Sequence, residues 1–478
     1  MQPSIVFAQN AVFSGTVTNE EGRPLENVHV LLNQGEYFDI SNQSGQFTIE
    51  NIEPGRYLLT VNILGYQPYS KLINIGETGL NNLTVRLDAE SYQLDEIVVT
   101  ATRTRKMLED IPLPVTVVPK DRIKKTGSMR LSDVLSEVTG LRLVTSRRQT
   151  GLQVQGFSSE YTLIMINGQP LIGRRAGILD LDRISVENVK RIEIIKGPSS
   201  ALWGSSALAG VVNLITETSK QPFSLDVNSR YGTNQTLDLG ATLSWQTDKW
   251  WNTFHANRLR SSGYRLVPGS ISKTVPEYQN YTLSYRTNYS LSNRIDLGFY
   301  GRFYQGDKNN DNFVGDEQSP TLLNVNEMTR NYGLTPSLSI DINEKLNLDI
   351  SHFISGYYNE RSLTYKKDGD RYEHNIFDQI YNKTDLKATQ TWNNDNTTVL
   401  GLGMYRENLN SDRYSSYNTL RNLFVYGQHD WNITDQLNII AGFRFDDHNV
   451  YGSQFSPKFS VQYKAADWLH LRASTGRG

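Results

Sequence analysis

Tyr281-Thr-Leu-Ser-Tyr-Arg-Thr-Asn-Tyr-Ser-Leu291 puts Tyr281, Leu283, Tyr285 and Tyr289 on one face and Ser284, Arg286, Asn288 and Ser290 on the other. A period of two is that of an extended strand. The pattern recurs. In residues 438–445, Ile439, Ala441, Phe443 and Phe445 oppose Asn438 and Arg444. In 458–464, Phe459, Val461 and Tyr463 oppose Lys458, Ser460, Gln462 and Lys464. One greasy face and one wet face suit a strand lying between lipid and a hydrated lumen, and about thirteen such stretches run from Phe223 onward.

The connections alternate in length. Tight turns are expected near Asp248, Asn293, Glu344, Asn394, Asp435 and Ala466. Long connections are expected over about 262–280, 306–329, 359–378, 407–420 and 447–453. Turns that are short at one end and long at the other mark a membrane barrel; a soluble sandwich has no reason to sort loops by parity. In lipid an unpaired strand edge is costly, and single-chain bacterial barrels have even strand counts. About thirteen strands therefore predict a barrel that this chain leaves unfinished, with the remainder C-terminal.

Composition is compatible with this. Lys+Arg number 48 and Asp+Glu 50, so no basic surface points to nucleic acid. No apolar run is long enough for a helical span, and the 26 Tyr and 7 Trp suit aromatic girdles. The absence of Cys excludes disulfides, thiolate metal sites and Cys nucleophiles. No Gly-x-Ser-x-Gly, His-Glu-x-x-His or phosphate-loop motif is found, so no enzyme is expected and no cofactor is required.

Upstream, two other textures precede the barrel. Residues 11–90 read as short strands separated by turn signals (Glu21-Gly22, Ser44-Gly45, Pro54-Gly55), the pattern of a small β-sandwich. Residues 104–218 mix strands with one short helix, where Leu131, Val134, Leu135 and Val138 form the apolar stripe and Gly140 the stop. The fold class is thus multidomain: β-sandwich, α+β domain, then antiparallel transmembrane barrel (219–478). Residues 1–10, with Val6-Phe7-Ala8, read either as the tail of an export signal or as a frayed strand.

Ser14-Gly-Thr-Val, Ser44-Gly-Gln-Phe-Thr-Ile, Pro54-Gly-Arg-Tyr and Leu64-Gly-Tyr resemble the carboxypeptidase-regulatory-like domain, a non-catalytic module. The motifs Leu131-Ser-Asp-Val-Leu-Ser-Glu-Val-Thr-Gly-Leu141, Val154-Gln-Gly-Phe157, Leu163-Ile-Met-Ile-Asn-Gly168, 189–198 and Ser199-Ser-Ala-Leu-Trp-Gly204 through Thr216 come in the order of the TonB-dependent receptor plug. This resemblance covers nearly the whole chain. It implies an outer-membrane receptor, a plug inside a barrel of about twenty-two strands, and energised import of a small ligand. An iron–siderophore complex is the leading ligand, haem and cobalamin are close behind, and glycan is more distant. A non-transporting signalling receptor is the rival reading.

Leu94-Asp-Glu-Ile-Val-Val-Thr-Ala-Thr-Arg103, at 94–103, is by itself a β-prone run with acidic and basic ends. It resembles the TonB box, which implies that Asp95, Glu96, Ile97, Val98, Val99, Thr100 and Ala101 bind TonB and its inner-membrane energising complex, by strand addition. Family plug arginines pair with barrel carboxylates. Here Gln155 stands where Arg is usual, Asn167 where Asp is common and Lys196 where Arg is common, so the expected latch set is Gln155, Lys196, Arg147 and Arg148. Arg174, Arg175, His374 and His448 are expected ligand contacts, against the plainer reading of surface residues. Asp307, Asn309 and Asp311 resemble the start of a calcium loop, but Asn312 stands at its sixth position and Gln318 at its twelfth. A solvated acidic loop is the alternative to calcium.

Overall fold

The computed structural model describes residues 11–33, 36–63, 66, 69–87, 97–145, 149–218, 221–316, 319–393, 396–412, 418–466 and 468–477. The chain divides into two compact units, Met1–Glu96 and Ile97–Gly478.

The first unit packs two sheets face to face. One has the order Gln46–Ile52, Ala11–Thr18, Leu80–Arg86; the other Tyr37–Ile40, His29–Leu32, Gly55–Asn62, Tyr69–Ile75. Alternate residues Phe13, Val17, Val30, Leu32, Phe47, Leu59, Val61 and Val85 fill the space between them. Two strands escape the sequence reading, Tyr37–Ile40 and Tyr69–Ile75. In the first, Phe38 and Ile40 face outward; in the second, Leu72 does so and only Ile73 and Ile75 at its end are buried, so neither shows a full buried stripe.

In the second unit a five-stranded sheet (Val115–Pro119, Val189–Lys196, Gly210–Thr216, Thr162–Ile166, Gln169–Pro170) forms the plug. The expected helix is present as Leu131–Ser136, with Leu131, Val134 and Leu135 buried and the Asp133 carboxylate accepting the Arg130 N–H at 2.9 Å. Asn167-Gly168, both with positive φ, turns the chain between two strands, as an Asn-Gly hairpin requires.

The plug lies against the concave face of one antiparallel sheet of thirteen strands, running in sequence order from Phe223–Gly232 to Leu469–Gly476. Its packing is inverted relative to a soluble protein. Phe459 and Tyr463 are 45% and 46% exposed on the outer face, whereas Ser460 and Gln462 on the inner face are 0% and 1% exposed. That inversion is what lipid outside and a polar interior demand. At the rim of tight turns Trp250, Trp392, Trp431 and Trp468 point outward, forming an interfacial girdle.

The long connections differ from expectation. Strands Ile295–Val314 and Thr321–Asp341 stay paired to Val314↔Thr321, and Leu346–Tyr365 with Arg371–Asn393 stay paired to Thr364↔Arg371. Most of 306–329 and 359–378 is therefore ladder, not loop. Above the membrane a strand needs no apolar face, so hydropathy alternation stops before the hydrogen bonds do.

Candidate functional site

The segment leading into the plug is stitched to it. Residues 97 and 98 pair with Met107 and Lys106, and the Val98 side chain is fully buried. The Glu193 carboxylate, 0% exposed on strand Val189–Lys196, accepts the backbone N–H groups of Val99 at 3.1 Å and Thr100 at 2.9 Å, and also the Thr100 hydroxyl. Arg191 balances its charge at 2.7 Å. The Thr100 carbonyl accepts the Trp203 indole N–H at 3.0 Å, and Asn213 Nδ2 donates to Thr100 Oγ1 at 2.8 Å. Asp95 and Glu96 fall outside the described residues, as does the Ile97 side chain.

Arg103 ends this segment, and it is the latch. Its φ of 57° is left-handed, a conformation that persists in a non-glycine residue when surrounding contacts over-determine it. The guanidinium carbon lies 4.2 Å from the Trp203 ring centroid and 4.3 Å from that of Tyr426. The same group pairs with Asp385 of the barrel wall at 3.1 Å and donates to the Tyr426 hydroxyl. Lys383 shares Asp385 at 3.2 Å. Lower down, Lys106 meets Asp430 at 2.6 Å and Lys464 meets Asp110 at 2.8 Å.

Two of the four expected latch residues have other surroundings. Gln155 is exposed in a turn with φ 51°, and Lys196 donates to the Thr139 carbonyl within the plug at 2.6 Å. Arg147 and Arg148 lie outside the described residues. The basic end of the quoted segment held the signal for Arg103, but nothing in the sequence marks Asp385 or Tyr426 as its partners.

Around the plug apex, Arg174 and Arg175 line the cavity between plug and wall and also hold neighbouring groups. Arg174 donates to the carbonyls of Ser159, Gly177 and Thr162, and burial beside Arg183 lowers its pKa to about 10. Arg175 pairs with Glu327 of the wall at 2.6 Å, a further tie between plug and barrel. His374 pairs with Glu360 at 3.0 Å, and His448 Nδ1 accepts the Val450 N–H at 3.1 Å, so both rings have partners within the wall. Asp307, Asn309 and Asp311 lie in the strand Ile295–Val314 instead of a loop, and Asp311 pairs with Lys366 at 2.7 Å. An extended backbone does not wrap ligands round an ion as a calcium loop does.

Between plug and wall lies a cavity of about 760 Å³. Arg361, Gln379, Tyr381, Tyr405, Glu407 and Arg444 line its wall side; Leu163, Met165, Gly173 and Trp203 line its plug side. Trp203 is presented by the single helical turn Ser200–Trp203, which Gly204 ends at φ 87°. Gly173 admits no side chain: a Cβ there would sit 2.3 Å from the Tyr357 ring, and its N–H donates to Gln379 at 2.8 Å. Among the described residues five cations line the cavity: Arg444 pairs with Asp446 at 2.7 Å, Arg361 with Glu373 at 3.5 Å, Lys383 with Asp385 and Arg175 with Glu327, whereas Arg174 is held by backbone carbonyls.

Elsewhere along the plug–wall boundary, Asn257 Nδ2 donates at 2.8 Å to both Glu187 of the plug and Asp238 of the wall. Burial, then the Asp238 charge, pushes the Glu187 pKa from 4.5 up to about 7. A carboxyl raised in the native state binds a proton that the unfolded chain releases, so its stabilisation is complete below pH 4.5 and is lost as pH rises through about 7. Glu187→Gln is expected to flatten the pH dependence of plug unfolding across that window; a wild-type profile already flat there contradicts the reading.

Comparison with known proteins agrees with this architecture. The TonB-dependent Receptor Plug Domain matches residues 107–211, the CarboxypepD_reg-like domain 13–99, and the TonB dependent receptor-like β-barrel 225–478. The chain is 22% identical over 398 residues to the vitamin B12 transporter BtuB of Photobacterium profundum, covering 82% of this chain and 63% of that protein. It shares 36% identity over 138 residues with BtuB of Vibrio vulnificus, or 28% of this chain and 23% of that one. Among solved structures, the siderophore receptor PirA of Acinetobacter baumannii has a TM-score of 0.62 at 18% identity, covering 76% of this chain and 60% of its own. A ferric enterobactin receptor (PfeA) mutant of Pseudomonas aeruginosa has a TM-score of 0.64 at 17% identity, covering 80% and 63%. The chain thus spans less than two thirds of the length of these relatives.

Proposed function

Because the chain belongs to the TonB-dependent receptor family of outer-membrane proteins, not to an enzyme family, we propose that it takes part in energised import of a small ligand, drawn across by TonB acting on the 94–103 segment. The observation that carries this reading is the latch. Arg103 holds the end of that segment against the wall through Asp385 and Tyr426, beside the cavity that Trp203 and Lys383 line. A force on the segment loads the contacts of Val98 to Thr100 and, beyond them, that of Arg103.

The ligand class proposed is an iron chelate or haem, with cobalamin as the second reading. Cobalamin is favoured by the relatives named as vitamin B12 transporters, and iron chelates by structural neighbours named as siderophore receptors. The cavity lining carries Arg174, Arg175, Arg361, Lys383 and Arg444 against Glu373, Glu407 and Asp446, a balance compatible with an anionic ligand. In the resting form Arg175–Glu327 and Asp180–Lys308 (3.1 Å) hold the apex to the wall.

A deletion strain complemented with the complete receptor, grown on defined iron, haem or cobalamin sources, tests the reading. Wild type is expected to restore use of one source and Val98→Pro to abolish it, because proline removes the N–H that strand addition needs. Normal uptake by Val98→Pro would sink the assignment of this segment to TonB.

A further inference from the structure

The cavity and the docked segment share a partition. Trp203 lines the cavity, yet the same indole stacks on Arg103 at 4.2 Å and donates to the Thr100 carbonyl at 3.0 Å. Leu163 and Met165 line it too, and they belong to an apolar cluster completed by Val98 and Ala101 of the segment, with Ile195, Ala207 and Val211. On the wall side, Lys383 lines the cavity and grips Asp385, the carboxylate that holds Arg103. Cavity floor and segment are thus in direct contact, with no second layer of plug between them at Trp203.

The plug core is elsewhere. Ile164, Ile166, Leu131, Leu135, Ile192 and Val212 form a separate cluster that neither the segment nor Trp203 enters. The alternation of strand Thr162–Ile166 explains the split, since Leu163 and Met165 face the segment while Ile164 and Ile166 face the core. Withdrawing the segment removes the backing from Trp203, Leu163 and Met165 and leaves the core's own contacts intact.

We infer that the cavity is the upper part of the solute path, that the 97–103 segment is its stopper, and that Trp203 is the gate between them. Its face is held by Arg103 and its N–H by Thr100, so removing the segment leaves the indole its apolar packing on Leu202, Val399, Phe424 and Tyr426, from which it can swing. A small hydrophilic solute then passes between plug and wall beside Lys383 and Arg444, with the plug sheet still folded. This rests on the import reading above, and it specifies where the path runs.

The test uses the complete receptor in phospholipid vesicles and reads swelling in isotonic arabinose, which needs neither TonB nor the natural ligand. Wild type is expected to swell no faster than lipid alone. Trp203→Ala with Arg103→Ala is expected to swell severalfold faster. Residues 1–478 have no Cys, and with any cysteine elsewhere in the receptor replaced, a charged methanethiosulfonate on Met165→Cys in that background is expected to close the path again. If the double alanine variant does not fold, Trp203→Phe with Arg103→Ala replaces it: phenylalanine keeps most of the bulk but loses the N–H, and a smaller leak is expected. Folded double variants as tight as wild type, or a leak indifferent to modification at Met165→Cys, overturn the gate. The growth test with Val98→Pro decides the import reading separately, because it depends on energised uptake and not on leak.

Discussion

Arg103→Ala is expected to release the 97–103 segment without any ligand. The substitution removes one member of a buried pair whose side chains are only 8% and 10% exposed, and breaking such a pair costs roughly 3–5 kcal/mol. Asp385 keeps Lys383 at 3.2 Å, so the lower end of that range applies. Loss of stacking on Trp203 and Tyr426 adds to it. A change of about 3 kcal/mol moves the docked-to-free ratio by roughly 150-fold. Residues 1–478 contain no Cys, so a single introduced cysteine reports the result once any cysteine elsewhere in the receptor is replaced. Val98→Cys, at a position 0% exposed, is expected to resist thiol reagents in the wild-type background and to react readily when Arg103 is alanine. Arg103→Lys is expected to fall between, keeping the charge but losing the planar fork and the double stack. Equal protection in all three backgrounds would show that the latch is elsewhere.

Glu193→Ala acts on the same segment from the plug side. The carboxylate is 0% exposed and accepts two backbone N–H groups and a hydroxyl from Val99 and Thr100. Its removal strands those donors and leaves Arg191, 14% exposed, without its counter-charge. Each unsatisfied buried donor costs about 1–3 kcal/mol and an uncompensated buried charge roughly 3–5, though the contributions overlap and do not sum. Amide exchange at Val99 and Thr100 is expected to accelerate by two orders of magnitude or more, on about 3 kcal/mol of local destabilisation. Glu193→Gln retains the acceptor oxygen and is expected to show a much smaller effect. Unchanged exchange in the alanine variant would mean that other contacts hold the segment.

The barrel was legible because its physics is local. A strand between lipid and water must alternate, and 458–464 alternates whatever lies beside it. Its inverted burial follows directly, with Ser460 and Gln462 inside and Phe459 and Tyr463 outside. The helix at Leu131–Ser136 was legible for the same reason, from one apolar stripe and a glycine stop. The hairpin ends above the membrane were not. There the strands Ile295–Val314 and Thr321–Asp341 are held by cross-strand hydrogen bonds among polar residues, and such residues read as loop when taken singly.

The site was much less legible than the fold. Arg103 was visible as the basic end of a short segment, but its partners Asp385 and Tyr426 are 282 and 323 residues away. Gln155 and Lys196 drew attention through family position, yet one faces solvent and the other caps a plug carbonyl. Arg174 and Arg175 look alike as neighbours in sequence; one braces plug carbonyls and the other reaches Glu327. Local pattern was enough for the order of domains, the period of the barrel strands and the short β-prone segment ahead of the plug. These depend on backbone periodicity and on neighbours a few residues apart. Which charge meets which, and that Trp203 stands between cavity and segment, came from the three-dimensional arrangement alone, because ion pairing and burial depend on distances set when the sheet wraps around the plug.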